Sequence, residues 1–510
     1  MHIKKVIILA ALGLSVMAQA AEPGYFKTLV AEQADATKGQ TQLYNLDYYA
    51  DGSLLLLSSY STASKDEVGL HFDGETYQGG TASKLSLQAL TNAFMAKVDK
   101  EGTVLWTVPD TTYQFDLGGS VNMATKDGGA IFAQKMRNKK GRYVTFINVH
   151  DNTSFVTESN NITASYERTS TMTADPNDSY AWAGLAQDEE NNVYLAGYQA
   201  DTLFPTWKDT IAMRPNKWNG NAQQKSSNCN TVIIKYDDHM KYLAYVINSD
   251  DLVYDRPVGM HYENGKLYVV GTYKNSTESG IYAAAYGTDL KREFIEYHPI
   301  KGNLQFQQTK FEKGRIYICG GISKGSITIG EKTISTSGNM NNGLVYVINQ
   351  ANGKALNADI HAAANDALNI TVAAFPTATG VIAYNHETLN GIQMAFNYDE
   401  DLTLVSIDTL GTGGGSSTIS CVARNADATQ TAIGCRARTT ADYLLLGQIF
   451  NFADKTNWYS VLATLNTKSP STAIESIQQT ATRAEKFIQN GQLLIRHNGK
   501  VYNVAGGLME

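Results

Sequence analysis

The chain has 510 residues, a hydrophobic fraction of 43% and a formal net charge of −7. Lysine and arginine form no dense cluster, which argues against nucleic acid and anionic membrane surfaces as partners. Glycine (43) and tyrosine (29) are abundant and proline (9) is scarce, a mix that favours many short strands and turns over long helices. We therefore predict an all-β fold.

The N-terminus has the pattern of a secretory signal peptide, residues 1–20. Lys4 and Lys5 form a basic region, residues 6–16 are apolar but too short to span a membrane comfortably, and residues 18–20 fit a small-x-small cleavage site. We expect cleavage after Ala20, with a buried N-terminal strand as the alternative. No cysteine stands at the cut, so no lipoprotein anchor is expected, and no other apolar run approaches transmembrane length.

A series of similar hairpins follows over residues 41–466. Each copy has a strand, a turn containing Gly, Asn or Asp, and a second strand. The clearest copy turns at Asn264-Gly265, and Asn-Gly is the strongest short-range hairpin signal because both central positions need φ > 0. The copies span residues 44–60, 121–135, 184–198, 258–273, 308–322, 371–385 and, more weakly, 419–450.

Each copy is followed by a second hairpin of the same type. These second hairpins span residues 93–108, 143–156, 231–246, 282–297, 344–358, 393–407 and a segment near 459–477. A unit of four antiparallel strands cannot bury both its faces alone and must stack against other copies. The spacing between copies is irregular, which excludes a solenoid with a fixed rung and suits a propeller, whose blades tolerate loop insertions.

We therefore predict a β-propeller of about seven four-stranded blades, with six or eight blades as alternatives. Residues 21–40 precede it as an N-terminal segment. Within that segment, residues 25–30 are short and apolar, and we expect them to add a strand to the last blade and close the ring, which would remove an exposed edge.

Three parts of the chain resemble the bacterial SBBP beta-propeller repeat. They are residues 92–108 (NAFMAKVDKEGTVLWTV), residues 191–206 followed by 230–246, and residues 322–349. The resemblance touches most of residues 41–466. It implies a secreted propeller, and it implies no particular activity because the family carries none in common.

Motifs with catalytic or metal-binding potential are weak. Residues 321–325 match G-x-S-x-G, but a nucleophile elbow needs a strand entering a helix. Here we expect the serine to leave an antiparallel strand and enter a loop, so a turn is the better interpretation. Acidic clusters at residues 188–190, 250–251 and 399–401 lie where turns are expected anyway. The histidines are dispersed without ligand spacing. We predict no catalytic residue, no metal site and no cofactor.

The long insertions after second strands are more informative. Residues 199–230 carry Phe204, Trp207, Arg214, Lys217 and Trp218, and a similar insertion occupies residues 61–91. Aromatic rings and cations in one polar loop suit the stacking of a sugar or the grip of a peptide. These five residues are the candidate ligand-binding site, and the alternative is that the tryptophans pin a long loop to the propeller.

The chain has four cysteines. If residues 419–424 and 430–436 pair around a turn near residue 427, Cys421 and Cys435 lie almost opposite one another. Export would place them in an oxidising compartment. We therefore predict a Cys421–Cys435 disulfide, with Cys229 and Cys319 unpaired.

The character of the sequence changes after residue 466. Residues 467–483 are polar and typical of a linker, and residues 484–510 predict two hairpins with turns at Asn490-Gly491 and Asn498-Gly499. This tail resembles the short C-terminal ending of proteins exported by type IX secretion. The resemblance implies that the secretion machinery is a partner; an edge hairpin of the propeller is the alternative.

Together these features predict an exported, cell-surface or secreted propeller that acts as a protein- or glycan-binding module, with the periplasm as an alternative location. The alternative function is a glycan-processing enzyme with its site on the propeller face or in the central channel. A cluster of carboxylates around the axis would favour the enzyme.

Overall fold

The computed structural model describes residues 22–32, 39–62, 68–73, 75–79, 90–109, 115–116, 121–138, 141–149, 180–199, 229–248, 254–336, 338, 341–361, 368–387, 391–452, 458–466, 485–489, 492–497, 500–503 and 508–509. Within these ranges the regular elements are strands, with no helix and hence no helix able to cross a membrane. The all-β prediction is therefore confirmed. Every ladder between strands is antiparallel.

The strands from the N-terminus to residue 247 are β1 (Glu22–Glu32), β2 (Gly39–Tyr48), β3 (Leu54–Thr62), β4 (Val68–Phe72), β5 (Glu75–Gly79), β6 (Leu90–Val98), β7 (Val104–Pro109), β8 (Phe115–Asp116), β9 (Val121–Ala124), β10 (Ala130–Asn138), β11 (Gly141–Val149), β12 (Tyr180–Gln187), β13 (Val193–Gln199), β14 (Asn230–Tyr236) and β15 (Tyr242–Ile247). The next are β16 (Tyr254–Glu263), β17 (Lys266–Lys274), β18 (Ser279–Gly287), β19 (Arg292–Glu312), β20 (Arg315–Ile329), β21 (Lys332–Thr336), β22 (Asn342–Asn349), β23 (Ala355–His361), β24 (Asn369–Pro376), β25 (Gly380–Glu387), β26 (Ile392–Asp399), β27 (Leu404–Arg424), β28 (Gln430–Leu445), β29 (Gln448–Phe450) and β30 (Tyr459–Asn466).

These strands form four sheets in which sequence neighbours are mostly sheet neighbours. The orders are β2-β3-β6-β7 joined through β8 to β9-β10-β11, then β12-β13-β14-β15, then β16 to β20 with β22 and β23, and finally β24 to β28 with β30, β1, β4 and β5. Strands β19 and β27 are long enough to belong to two successive meanders. The first part of β19 pairs with β18 and the second part with β20, and β27 pairs in the same way with β26 and β28.

Aspartates at the strand ends explain many of the tight turns. The Asp399 carboxylate, for example, accepts hydrogen bonds from the backbone N–H groups of Asp401 (3.0 Å) and Thr403 (2.7 Å). This side-chain geometry encodes the turn locally. The same pattern recurs at Asp99, Asp188 and Asp237.

The N-terminal strand β1 lies between two distant parts of the chain. It pairs with β30, where Thr28 faces Val461, and on its other side with β4, where Val30 faces His71. Thr41 of β2 donates its hydroxyl to the Leu29 carbonyl (2.8 Å) and its backbone N–H to the Trp458 carbonyl (3.0 Å). The first and last sheets are thereby tied together through β1.

Hydrophobic clusters fill the spaces between neighbouring meanders. One cluster combines Leu43, Leu56 and Phe94 of the first meander with Leu29 of β1 and Cys421 of β27. Others join β10 with β12 to β14, and β13 and β14 with β16 to β18. The inner hydrophobic residues of each sheet are thus covered by the next sheet, and the last sheet is covered by the first.

The predicted Cys421–Cys435 disulfide does not hold in the structure, where all four cysteines are buried free thiols. The strand pairing shifts by one residue between Ile419 and Cys421, so that Cys421 faces Gly434 and Cys435 faces Ile419. As a result Cys421 packs in the cluster shared with the first meander, while Cys435 packs in the cluster on the other side of the sheet. A one-residue bulge changes the face that a side chain occupies, and it separates the two sulfurs.

The contacts divide the chain into two compact units. One is Glu22–Asn466; the other holds the remaining residues at both ends. The described part of the second unit is a four-stranded antiparallel sheet in the order β31 (Glu485–Gln489), β32 (Gln492–His497), β33 (Lys500–Asn503) and β34 (Leu508–Met509). The two predicted Asn-Gly turns lie outside the described residues, but the strands on either side of each turn pair with one another.

Candidate functional site

A cavity of about 900 Å³ lies where the first strands of the successive meanders meet. We call it the inner cavity. Its walls come from β2, β9, β12, β16 and the second half of β19, with contributions from β24 and β27. Pockets of this size are typical of ligand sites, which usually combine apolar walls with a few polar groups.

Bulges in the inner strands shape this cavity. Strand pairing shifts next to Tyr44 in β2, Ala183 in β12, Val258 in β16, Gln307 and Gln308 in β19, and Ser420 in β27. A bulge bends its strand and re-aims the side chains around it. All these bulge residues line the inner cavity, so the irregularities lie on its wall. A further bulge, at Val372 of β24, does not line it.

Two residues of opposite charge line the inner cavity. Asp47 of β2 and Lys310 of β19 interact electrostatically, yet no salt bridge within 4.0 Å joins them among the described residues. Burial raises the pKa of the Asp47 carboxyl, opposed by a hydrogen bond from the Ala124 N–H (2.8 Å) and by the Lys310 charge. Burial lowers the pKa of the Lys310 ammonium, and Asp47 opposes that shift.

A second charged pair at the cavity wall is in direct contact. Arg424 of β27 donates one hydrogen bond to the Glu312 carboxylate and another to the Pro376 carbonyl (2.8 Å). Its guanidinium also lies 4.8 Å from the centre of the Phe375 ring. The side chain of Arg424 is only 7% exposed, so this pair holds β19, β24 and β27 together rather than offering a free carboxylate.

Aromatic and amide side chains complete the wall. His261 stacks on Phe311 with ring centres 5.3 Å apart, and burial lowers the pKa of that imidazole. Asn45 donates to the side-chain oxygen of Asn122 (2.8 Å). Lys126 donates to the Asp188 carbonyl (2.9 Å). The wall therefore mixes rings, amides and charges of both signs.

The five residues predicted from sequence as the ligand site, Phe204, Trp207, Arg214, Lys217 and Trp218, lie outside the described residues. Their prediction stays untested. The two insertions do share a position: one connects β3 to β6 and the other connects β13 to β14, so both follow the second strand of a meander.

The weak motifs lie in a strand and in a turn, and the loop expected at Ser323 is not there because β20 continues to Ile329. Ser323 of the G-x-S-x-G match is buried within β20, and no helix follows it there. Asp188 accepts hydrogen bonds within its own turn and from the Tyr194 hydroxyl (2.8 Å). Among the residues that the structure describes, no three His, Cys, Asp or Glu side chains are grouped as a metal site would require.

Sequence reasoning did not find the inner-cavity residues. Asp47, Asn122, Lys310 and Arg424 are single polar residues in strands that are far apart in the chain. The available signal was a polar residue on the strand that begins each repeat, and it has meaning only once the repeats are stacked.

Comparison with known proteins gives no family: no family model matches the chain, and no curated protein matches it. Solved structures do match at low identity. They include a protein of unknown function from Bacteroides caccae (11% identity, 66% of this chain and 94% of that chain, TM-score 0.29) and the WD40 beta propeller domain of Doa1 (9%, 68% and 92%, TM-score 0.27). Dihydro-heme d1 dehydrogenase NirN is also similar (10%, 82% and 70%, TM-score 0.37). All these TM-scores lie below 0.5, so the fold description rests on the strand pairing of this chain.

Proposed function

We propose that residues 22–466 form a closed propeller of seven blades that acts as an exported protein- or glycan-binding module. The blades would be β2-β3-β6-β7, then β9-β10-β11, then β12 to β15, then β16 to β18 with the first half of β19, then the second half of β19 with β20, β22 and β23, then β24 to β26 with the first half of β27, and finally the second half of β27 with β28, β30 and β1.

Seven hydrophobic clusters among the described residues support this arrangement, because each lies between successive blades in this order. They run from the cluster around Leu57 and Phe132, between the first and second blades, to the cluster around Ile433 and Phe375, between the sixth and seventh. The cluster containing Leu43 and Cys421 returns from the seventh blade to the first. In this proposal β1 completes the seventh blade. It covers the edge of β30, which would otherwise be exposed where the two ends of the ring meet.

One observation favours binding over glycan processing. The two carboxylates on the inner-cavity wall are both engaged: Asp47 accepts from the Ala124 N–H, and Glu312 accepts from Arg424. Glycosidases usually need two carboxyl groups flanking one bond, one of them free to donate a proton. The wall instead presents amides, rings and cations, which suit recognition.

We infer further that ligands reach the blade end that carries the insertions 61–91 and 199–230, where Phe204, Trp207, Arg214, Lys217 and Trp218 would contact them. The test is a glycan and peptide array probed with residues 21–510, followed by titration of each hit. Trp207→Ala and Trp218→Ala should each weaken binding by about 2 kcal/mol, the usual effect of a hot-spot residue. A sharp fall in melting temperature with unchanged affinity would instead make both tryptophans packing residues.

The same array separates the two functions. A binding module should release glycans unchanged, whereas a glycan-processing enzyme should shorten a bound glycan during hours of incubation, which mass spectrometry of the recovered glycan would detect. If Trp207→Ala and Trp218→Ala both still shorten the glycan, the catalytic site does not lie at the insertions.

Export is part of the proposal and has its own test. The signal-peptide pattern at residues 1–20 and the separate β31–β34 unit support it. Deletion of residues 484–510 should leave a folded propeller that accumulates in the periplasm of its native host. Fusion of residues 467–510 to an unrelated periplasmic protein should carry part of it outside. A truncated protein that still reaches the cell surface would contradict the sorting role.

A further inference from the structure

Two arginines of β28 lie against one tryptophan ring. Arg436 and Arg438 are alternate residues of this strand, so their side chains lie on the same face of the sheet. The strand pairing sets Ala437 opposite Tyr459, and the same register brings Arg438 beside Trp458. The guanidinium carbons of Arg436 and Arg438 lie 3.9 Å and 5.1 Å from the centre of the Trp458 ring. We call these two arginines and Trp458 the arginine site.

The positive charges of the arginine site have few partners. Arg436 is partly buried and donates one hydrogen bond to the Gln40 side-chain oxygen (3.3 Å), while its Nε is buried without an acceptor. Among the described residues, no carboxylate lies within salt-bridge distance of either arginine. Burial and the neighbouring Arg438 charge lower the pKa of Arg436 to about 10. Stacking on an indole stabilises a guanidinium, but a partly buried guanidinium normally has an anion as well.

The arginine site lies beside one of the two long insertions. Gln40 is the Cα partner of Ser61, where β3 leads into the insertion 61–91, and Gln40 also forms a bridge with Trp458. The same glutamine accepts the hydrogen bond from Arg436. In the proposed ring the site therefore falls between the seventh blade and the first, at the blade end where we expect the ligand. An anionic group on that ligand would meet two guanidiniums there.

We propose that the arginine site binds a tetrahedral oxyanion, the phosphate or sulfate ester group of a glycan ligand. This inference rests on the proposed binding function and specifies a chemical group that the ligand carries. Arg436 and Arg438 donate hydrogen bonds to the oxygens of the ester group. Trp458 holds both guanidiniums in place by stacking against them, which leaves their N–H groups directed outward from the ring.

Charge and shape favour this group over a carboxylate. A phosphate ester carries about two negative charges at neutral pH and three acceptor oxygens, so it accepts from both guanidiniums at once. A sulfate ester offers the same tetrahedral set of oxygens. A carboxylate is already satisfied by the fork of a single guanidinium. Nucleic acid also carries phosphates, but a chain with a net charge of −7 and no dense basic cluster is a poor match for a polyanion.

The test is calorimetric titration of residues 21–510 in a buffer that contains chloride but no oxyanion. The probes are N-acetylglucosamine 6-phosphate, N-acetylglucosamine 6-sulfate, unmodified N-acetylglucosamine, glucuronic acid, inorganic phosphate and inorganic sulfate. At least one ester should bind about tenfold more tightly than the unmodified sugar, glucuronic acid and its own free ion. Equal affinity for ester and free ion would overturn a glycan as the carrier. No binding of any oxyanion up to about 10 mM, or equal affinity for glucuronic acid, would overturn the site.

Two variants and a control locate the site. Arg438→Gln removes the exposed arginine and should weaken ester binding about tenfold without unfolding the protein. Arg436→Met should abolish ester binding and leave the unfolding midpoint unchanged or higher, because it removes a partly buried charge that has no described counter-charge. Lys291→Gln removes one charge from a side chain that is 86% exposed and should leave affinity within about twofold. Unchanged ester affinity in Arg438→Gln overturns the proposal even if Arg436→Met fails to fold.

The titrations also separate this site from the proposed function. If no oxyanion binds but array hits without phosphate or sulfate remain, the binding function stands and the arginine site is excluded. If neither the array nor the titrations find a ligand, the proposed binding function itself fails.

Discussion

Two parts of the unit Glu22–Asn466 differ in how the chain builds them. The contiguous group, β16 to β18 with residues 292–299 of β19, is one meander of consecutive strands. The closing group, residues 413–424 of β27 with β28, β30 and β1, takes its last strand from the other end of the chain. The Tyr25 N–H donates to the Thr464 hydroxyl (2.9 Å) across 439 residues of sequence. Local turns can specify the strand pairing of the contiguous group. The strand pairing of the closing group is complete only when the two ends of the chain come together.

The largest expected effect comes from removing β1. Deletion of residues 22–32 takes away the buried Leu29 and Ala31, exposes the edge of β30 and uncovers the cluster shared with Leu43. We expect a loss of at least about 4 kcal/mol, since a single buried leucine is worth 2–5 kcal/mol. Urea unfolding of the deletion variant measures it.

Deletion of residues 484–510 is the matched control for that loss, because it removes a separate unit and should leave the unfolding midpoint unchanged. A synthetic peptide of residues 22–32, added in trans, should restore part of the lost stability. A deletion variant as stable as the full chain would mean that β1 does not complete the closing group.

A finer comparison uses one leucine from each group. Leu29 of β1 is 2% exposed and Leu267 of β17 is 0% exposed. Replacement of either by alanine removes the same atoms from a buried position and should cost about 2–5 kcal/mol. The two costs, from urea unfolding, should agree within about 1 kcal/mol. A cost near zero for Leu29→Ala alone would show that β1 separates from its sheet.

Acid should weaken the neighbourhood of the closing group through His386 of β25. Burial lowers the pKa of this imidazole to about 4, opposed by a hydrogen bond with the Ile419 backbone. The unfolded chain, with a pKa near 6.5, therefore binds more protons between pH 6.5 and 4, and stability falls as the pH drops through that window. The expected loss at pH 5 is about 2 kcal/mol.

His386→Gln should abolish this part of the pH dependence, and His239→Gln, at a residue whose side chain is 72% exposed, is the control. The measurement is the free energy of unfolding at pH 7 and at pH 5 for both variants and for the unchanged protein. An identical pH dependence in His386→Gln and the unchanged protein would exclude His386 as its source.

The smallest effect concerns a turn residue with an unusual backbone. Leu402 has φ of +54° and is 4% exposed. Glycine would remove about 1–2 kcal/mol of backbone strain but would lose about 1.5–3 kcal/mol of side-chain burial. We expect Leu402→Gly to destabilise by about 1 kcal/mol net, and Leu290→Gly, which has φ of +63° in the contiguous group, to behave alike. A stabilised Leu402→Gly variant would contradict this balance.

The contiguous group is also where sequence reasoning succeeded. Asn264 and Gly265 both have positive φ, +51° and +81°, as the Asn-Gly signal predicts. Lys313-Gly314, in the next meander, behaves in the same way. In these turns the residue types determine the backbone directly.

Predictions that depended on exact register or on distant partners did less well. The one-residue shift before Cys421 leaves no trace in the residue pattern, and it removes the predicted disulfide. The segment near residues 459–477 was expected to be a hairpin. The described part of this segment, residues 459–466, is the single strand β30, which lies between β28 and β1. Residues 467–477 lie outside the part of the chain that the structure describes. The inner cavity unites Asp47 with Lys310 through stacking of the repeats, which local patterns do not encode.

Cross-linking of β1 to β30 tests the proposed closed ring most directly. Glu22 and Asn466 are exposed Cα partners in this pair, so cysteines at both positions should form a disulfide on mild oxidation of the folded protein. Glu22→Cys combined with Glu400→Cys, at an exposed turn elsewhere, is the control. The closed ring predicts efficient cross-linking of the first pair alone, detected as a mobility shift that reduction reverses. Cross-linking of the first pair no greater than that of the control would contradict ring closure by β1.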